Sequence, residues 1–212
     1  MPASQVAERR FTTPLSATKI EMRADGKRSL SGYAAVFYRA DEPGTEYEIW
    51  DDFHERIMPG AFDRAIQEGD DVRALVNHNP DNILGRTKSA TCRLSVDNRG
   101  LKYEVDLPDT QLGKDIAESV SRGDISGCSF SFIAERVVWV EEESRTIRQV
   151  EGVRLLDVGP VTYPAYEATE VMARSAEPIV AEHRKLAQEA RLLREADAVL
   201  VRSRLIAVDE SN

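Results

Sequence analysis

The chain has 212 residues, 42% hydrophobic and 31% charged, which suits one globular domain with solvated appendages and is too short for two full domains. Its formal net charge of −9 is spread along the length with no lysine or arginine block, so nucleic acid is not an expected partner. No apolar run approaches the roughly 20 residues that span a bilayer, and Met1-Pro2-Ala3-Ser4-Gln5 lacks a signal pattern, so no membrane is expected and the cytoplasm is, with Cys92 and Cys128 unbridged.

Residues 1–14 are polar and aperiodic and end in Pro14, and they are expected to form a flexible arm before a domain at 15–175. Alternating bursts at 19–23, 32–37, 47–50 and 72–76 predict strands. Residues 60–68 predict a helix with Phe62, Ala65 and Ile66 on one face, stopped by Gly69. Residues 93–96 and 101–107 flank Asp97-Asn98-Arg99-Gly100, a turn whose glycine suits a positive φ, and predict a hairpin.

A second helix is predicted at 111–121, stopped by Gly123. Strands follow at 126–134, 137–141, 145–150 and 153–158, with a turn at Glu142-Glu143-Ser144. Many strands, two short helices and no βαβ alternation imply an α+β domain, or a barrel with helical insertions. From 176 to 212 the chain is a charged helical tail in which Ile179, Leu186, Leu193 and Leu200 recur every seven residues. That stripe serves either packing on its own domain or a coiled-coil contact with another chain, a second copy included.

Histidine is the natural base near neutral pH, and the chain has three: His54, His78 and His183. His183 falls on the charged tail, and His54 in the charged loop Asp51-Asp52-Phe53-His54-Glu55-Arg56, where a surface ion pair is expected. His78 follows the apolar strand at 72–76 and precedes Asn79-Pro80-Asp81, so it stands at a strand end, as a base or as a loop cap. In Ser126-Gly127-Cys128-Ser129-Phe130-Ser131-Phe132, alternation sends Ser129 and Ser131 to one face and Cys128, Phe130 and Phe132 to the other. Ser129 is either a nucleophile or part of the wet side of an ordinary strand.

A serine hydroxyl needs a base within hydrogen-bond reach, and the base works best when a third group fixes its tautomer. Asp157, an acid within apolar Leu155-Leu156-Asp157-Val158, is a candidate for that third group or a cap of nearby amides. The order His78, Ser129, Asp157 matches none of the three familiar triads, and a Gly-x-Ser-x-Gly elbow is missing. Cys128 as nucleophile points the wrong way along the strand. A metal site from His54, His78 and Asp51 or Asp52 lacks the usual ligand spacing, so no metal or other cofactor is expected.

Several runs in order resemble the prohead, or head-maturation, serine proteases of tailed phages, a family related to the herpesvirus assemblins. They are Pro59-Gly60-Ala61-Phe62, Asn77-His78-Asn79 with Leu84-Gly85-Arg86, Leu107-Pro108-Asp109-Thr110, Arg122-Gly123-Asp124-Ile125-Ser126-Gly127-Cys128-Ser129-Phe130, and Asp157-Val158 before Val161-Thr162-Tyr163-Pro164-Ala165-Tyr166. The resemblance implies an assemblin-like, barrel-like fold of mostly antiparallel strands. It places the base on His78, the nucleophile on Ser129 and an acid near Asp157. Ser131 and Gly159 depart from the family's pattern, which has glycine and serine there.

The resemblance further implies a serine endopeptidase that cuts the scaffolding segment of the major capsid protein, and itself, within the prohead assembling in the host cytoplasm. Removal of its own tail belongs to that expectation, and the residues 159–162 are the expected source of oxyanion donors. The alternative is a non-catalytic capsid assembly or scaffolding factor that keeps this domain for docking.

Overall fold

Alternation of apolar and polar side chains makes strand the commonest element among the described residues. The computed structural model describes residues 7–12, 18–23, 26–142, 145–163 and 176–195. In chain order the elements are β1 (Glu8–Thr12), β2 (Lys19–Met22), β3 (Arg28–Val36), β4 (Glu46–Trp50), β5 (Phe53–Ile57), α1 (Asp63–Gln67), β6 (Arg73–Leu75) and β7 (Ile83–Arg86). There follow β8 (Cys92–Val96), β9 (Gly100–Asp106), α2 (Gln111–Arg122), β10 (Gly127–Glu142) and β11 (Arg145–Val161). The chain divides into two units at residue 175, and the second carries a helix, α3, over 176–195.

One sheet has seven strands in the path β1-β10-β11-β5-β4, with β6 paired to β11 and β7 to β6. The other runs β2-β3-β9-β8. Pairing is antiparallel except where β11 meets β5 and β6. Phe37, just past β3, meets Phe62 at 6.0 Å between ring centroids; Phe62 meets Phe130 edge-on at 5.6 Å, and Phe130 stacks on Phe132 at 5.0 Å. Full burial of each such ring stabilises the fold by roughly 1.5–3 kcal/mol, so this aromatic line ties β10 to the segment leaving β3.

The expected barrel does not close. Among the described residues the larger sheet ends at β1 and β4, and the remaining strands form a separate sheet. The four strands expected between 126 and 158 are two continuous ones, because bulges at Ser131/Phe132 and on both sides of Arg136 bend β10 without ending its pairing. Residues 143–144 of the expected turn lie outside the described residues. The hairpin of β8 and β9 forms, but Gly100 is not among the positive-φ glycines. Its missing side chain instead makes room for the Ala35 carbonyl, which a Cβ would meet at 2.1 Å. Asp97 Oδ1 closes the turn by accepting from Arg99 N–H at 2.8 Å and Gly100 N–H at 3.1 Å.

Two further corrections concern charged segments. The expected flexible arm contains β1, whose residues pair with 128–132 of β10. The expected surface loop around His54 is β5, every residue of which is buried. The helix expected at 60–68 shortens to α1, since Gly60, at φ 88°, belongs to a turn in which Ala61 N–H donates to Met58 O. α2 has Thr110 as its N-cap and Gly123 at φ 83° as its left-handed stop. Of the tail's heptad positions, Leu200 lies outside the described residues.

Candidate active site

Register alone brings two of the three candidate residues to one face. In β10 and β11, Ser129 faces Gly159 and Ser131 faces Asp157, so Ser129 and Asp157 share a side two positions apart along the ladder. Cys128 points to the other side, with Sγ 2.9 Å from Thr18 Oγ1 and 3.4 Å from Tyr103 Oη. Alternation led to a wet hydroxyl side, and the structure corrects this: Ser129 is 0% exposed.

His78 arrives from the loop after β6. That strand lies parallel on β11, with Arg73 opposite Asp157 and Ala74 opposite Val158, so the chain leaves it directly above Gly159. A Cβ on Gly159 would stand 2.0 Å from Leu75 O, and only glycine lets the backbone pass this close. Asn77 and His78 then adopt left-handed φ of 54° and 57°, an uncommon pair for residues with side chains, which turns the imidazole back over the sheet.

Hydrogen bonds from Asn77 hold the turn. Its N–H donates to Pro160 O at 3.0 Å, its Nδ2 to Thr162 Oγ1 at 3.1 Å, and its Oδ1 accepts from Thr162 N–H at 2.9 Å.

The result is a line of three groups. His78 Nδ1 lies 2.5 Å from Asp157 Oδ1, and His78 Nε2 lies 2.5 Å from Ser129 Oγ. A carboxylate only accepts, so the contact with Asp157 requires the proton on Nδ1 and leaves Nε2 of a neutral ring as an acceptor facing the serine. Chemically, this is a hydroxyl with a base in reach and a fixed tautomer behind it.

Arg10 O of β1 is a second acceptor in reach of the Ser129 hydroxyl, at 2.9 Å, and the Phe11 ring stands edge-on to His78 with centroids 5.8 Å apart. Beneath β1, Arg10 donates to Glu55 at 2.5 and 2.8 Å and to Glu8 at 2.9 Å. Arg148 donates to Glu8 at 2.5 and 2.9 Å and to Glu55 at 2.6 Å. All four side chains are at most 1% exposed. Burial works against charge here, but the two guanidiniums prevail and hold the Glu55 carboxyl below the usual range.

The other candidates lie elsewhere. His54 sits on β5 with Nδ1 2.9 Å from Glu46 Oε1, and His183 lies on α3. Among the described residues, no group of three or more His, Cys, Asp and Glu side chains could hold a metal ion. Cys92 and Cys128 are buried thiols outside any disulfide, and burial pushes that of Cys92 up to about 12. In the stretch expected to supply oxyanion donors, Pro160 has no N–H and that of Thr162 is taken by Asn77. Val161 and Gly159 are ladder partners of Gly127 and Ser129.

A family model described as caudovirus prohead serine protease matches residues 15–182. The chain belongs to that family. As a prohead serine protease it carries His78, Ser129 and Asp157 within the matched span, while β1 precedes it. The structure of the bacteriophage T4 capsid assembly protease, gp21, is similar at a TM-score of 0.44 and 11% identity, over 74% of this chain and 99% of that one. No curated protein sequence matches. Among the described residues of this prohead protease, no helix is long and apolar enough to cross a membrane.

Neither β1 nor the buried charges were found in the sequence as functional. The signal that could have found them is chemical complementarity: Glu8-x-Arg10 on one strand against Glu55 and Arg148 on two others.

Proposed function

We propose that Ser129, His78 and Asp157 are the catalytic triad of this protease. The chain then acts as the endopeptidase of head maturation in the host cytoplasm, inside the assembling prohead, on the scaffolding segment of the capsid protein and on itself. The observation that carries the reading is the unbroken line Asp157, His78, Ser129 at 2.5 Å and 2.5 Å. An assemblin-like ancestry for the fold belongs to the same proposal.

In this mechanism Ser129 Oγ bonds to the substrate carbonyl carbon while His78 Nε2 takes its proton. Asp157 holds Nδ1–H and stabilises the imidazolium. The proton then passes to the leaving nitrogen as the C–N bond breaks, leaving an acyl-enzyme. Water, deprotonated by the same imidazole, releases the acid and restores Oγ–H.

The test is coexpression with the capsid protein, comparing wild type with Ser129→Ala by mass spectrometry of both chains. Cleavage of both is expected only with Ser129 present. Persistent cleavage in the variant would sink the assignment, and no cleavage by either chain would favour a non-catalytic assembly factor.

A further inference from the structure

A peptide that reaches Ser129 by adding a strand to the sheet has one edge of β10 to use, because β11 holds the other. That edge is taken by β1. Its register sets Phe11 opposite Ser129 and Arg10 opposite Phe130. Arg10 O is thus presented to the serine hydroxyl at 2.9 Å, where the carbonyl of a bond to be cut would stand. The hydroxyl has one proton, so this carbonyl competes for it with His78 Nε2. Phe11, the next residue, flanks the imidazole.

Alternation sends Glu8 and Arg10 to the opposite side of β1 from Phe11, against Phe130 and Phe132. There the protein supplies one buried acid, Glu55, and one buried base, Arg148, and the strand supplies their complements in the order acid, spacer, base. Glu55 and Arg148 side chains are 0% and 1% exposed. Two paired charges at that depth leave a strand lacking either partner with an uncompensated ion beside it.

We propose that the outer edge of β10 is the peptide groove of this protease, and that β1 fills it as a substrate-like strand. The groove selects a basic residue, whose carbonyl meets Ser129, preceded two positions earlier by an acidic one. This rests on the triad reading above. Its corollary is latency, since Ser129 is 0% exposed while β1 is in place. Substrate enters only as β1 leaves.

The test uses the full chain, its Arg10→Ala variant, and Phe11→Ala, which leaves the four-charge cluster intact. One readout is the rate at which a fluorophosphonate labels Ser129. The other is hydrolysis of a quenched fluorescent hexapeptide, Ala-Glu-Arg-Arg-Phe-Thr, against versions with alanine for the glutamate or for the second arginine. Both variants are expected to label at least about tenfold faster than wild type, a gain of about 1.4 kcal/mol in access. The parent peptide is expected to be cut between arginine and phenylalanine, and each alanine version at least about tenfold less efficiently in kcat/KM.

Equal labelling of wild type and both variants, at unchanged thermal midpoints, would overturn the groove. Equal cleavage of the three peptides, or of none, would overturn the selectivity while rapid labelling still upheld Ser129. Label that never reaches Ser129 in any chain refutes the triad reading itself.

Discussion

Asp157 and Gly159 sit two residues apart on one strand and make opposite demands. Asp157 must present a charged oxygen to His78 Nδ1, and Gly159 must present nothing at all to Leu75. Asp157→Asn keeps the shape but offers an amide that favours the wrong tautomer. Peptidase kcat is expected to fall by about 10³–10⁴ with the thermal midpoint nearly unchanged, and steady-state kinetics beside a melting curve checks both. Gly159→Ser introduces the residue that the resemblance leads one to expect here. With a Cβ 2.0 Å from Leu75 O, it should cost about 1–3 kcal/mol in urea unfolding. Because the backbone that moves carries His78, kcat should drop by about 10² as well. His78, Ser129 and Asp157 were legible as candidates because motif residues are fixed by identity. The need for glycine at 159 was not, since it depends on a backbone that arrives from 84 positions earlier.

β1 and β5 escaped the sequence reading for one shared reason. Hydrophobic periodicity registers apolar side chains, yet these strands turn Glu8, Arg10 and Glu55 inward, and each is acceptable there only because of the others. The hairpin of β8 and β9 has no such dependence: its alternation and its turn are local, and both were readable. Removing one member of the cluster should therefore be costly. Arg148→Met leaves two carboxylates facing a single guanidinium, and a loss of about 3–5 kcal/mol is expected in urea unfolding. The double variant Glu55→Met, Arg148→Met should recover part of that loss if the damage comes from unpaired charge. A double variant no better than the single one would refute this account.

Acid stability is a property of the whole domain, and its sign follows from its carboxylates. Arg93, with Arg23, holds the Asp106 carboxyl down at about 2, and Arg86 does the same for Asp71. Unfolded aspartate takes its proton near about 3.9, so between those values the unfolded chain binds more protons than the folded one. The stability these groups give is present above about pH 4 and lost as pH falls toward 2. Thermal midpoints should drop over that window, and Asp106→Asn should flatten the slope. For the second unit, deletion of residues 178–212 is expected to reduce incorporation into proheads, scored by gel analysis of purified particles; unchanged incorporation would remove the tail from that role.

The strand that pairs with residues 128–132 is made long before them. Arg10 and Ser129 are 119 residues apart, so on the ribosome β1 emerges with nothing to pair with and waits while most of the domain is synthesised. A contact of such long range is among the last that a growing chain closes. If β1 fills the groove as proposed, the occupant of the groove is already present in the same chain by the time β10 is complete. Timing of release is then left to whatever later draws the first strand away.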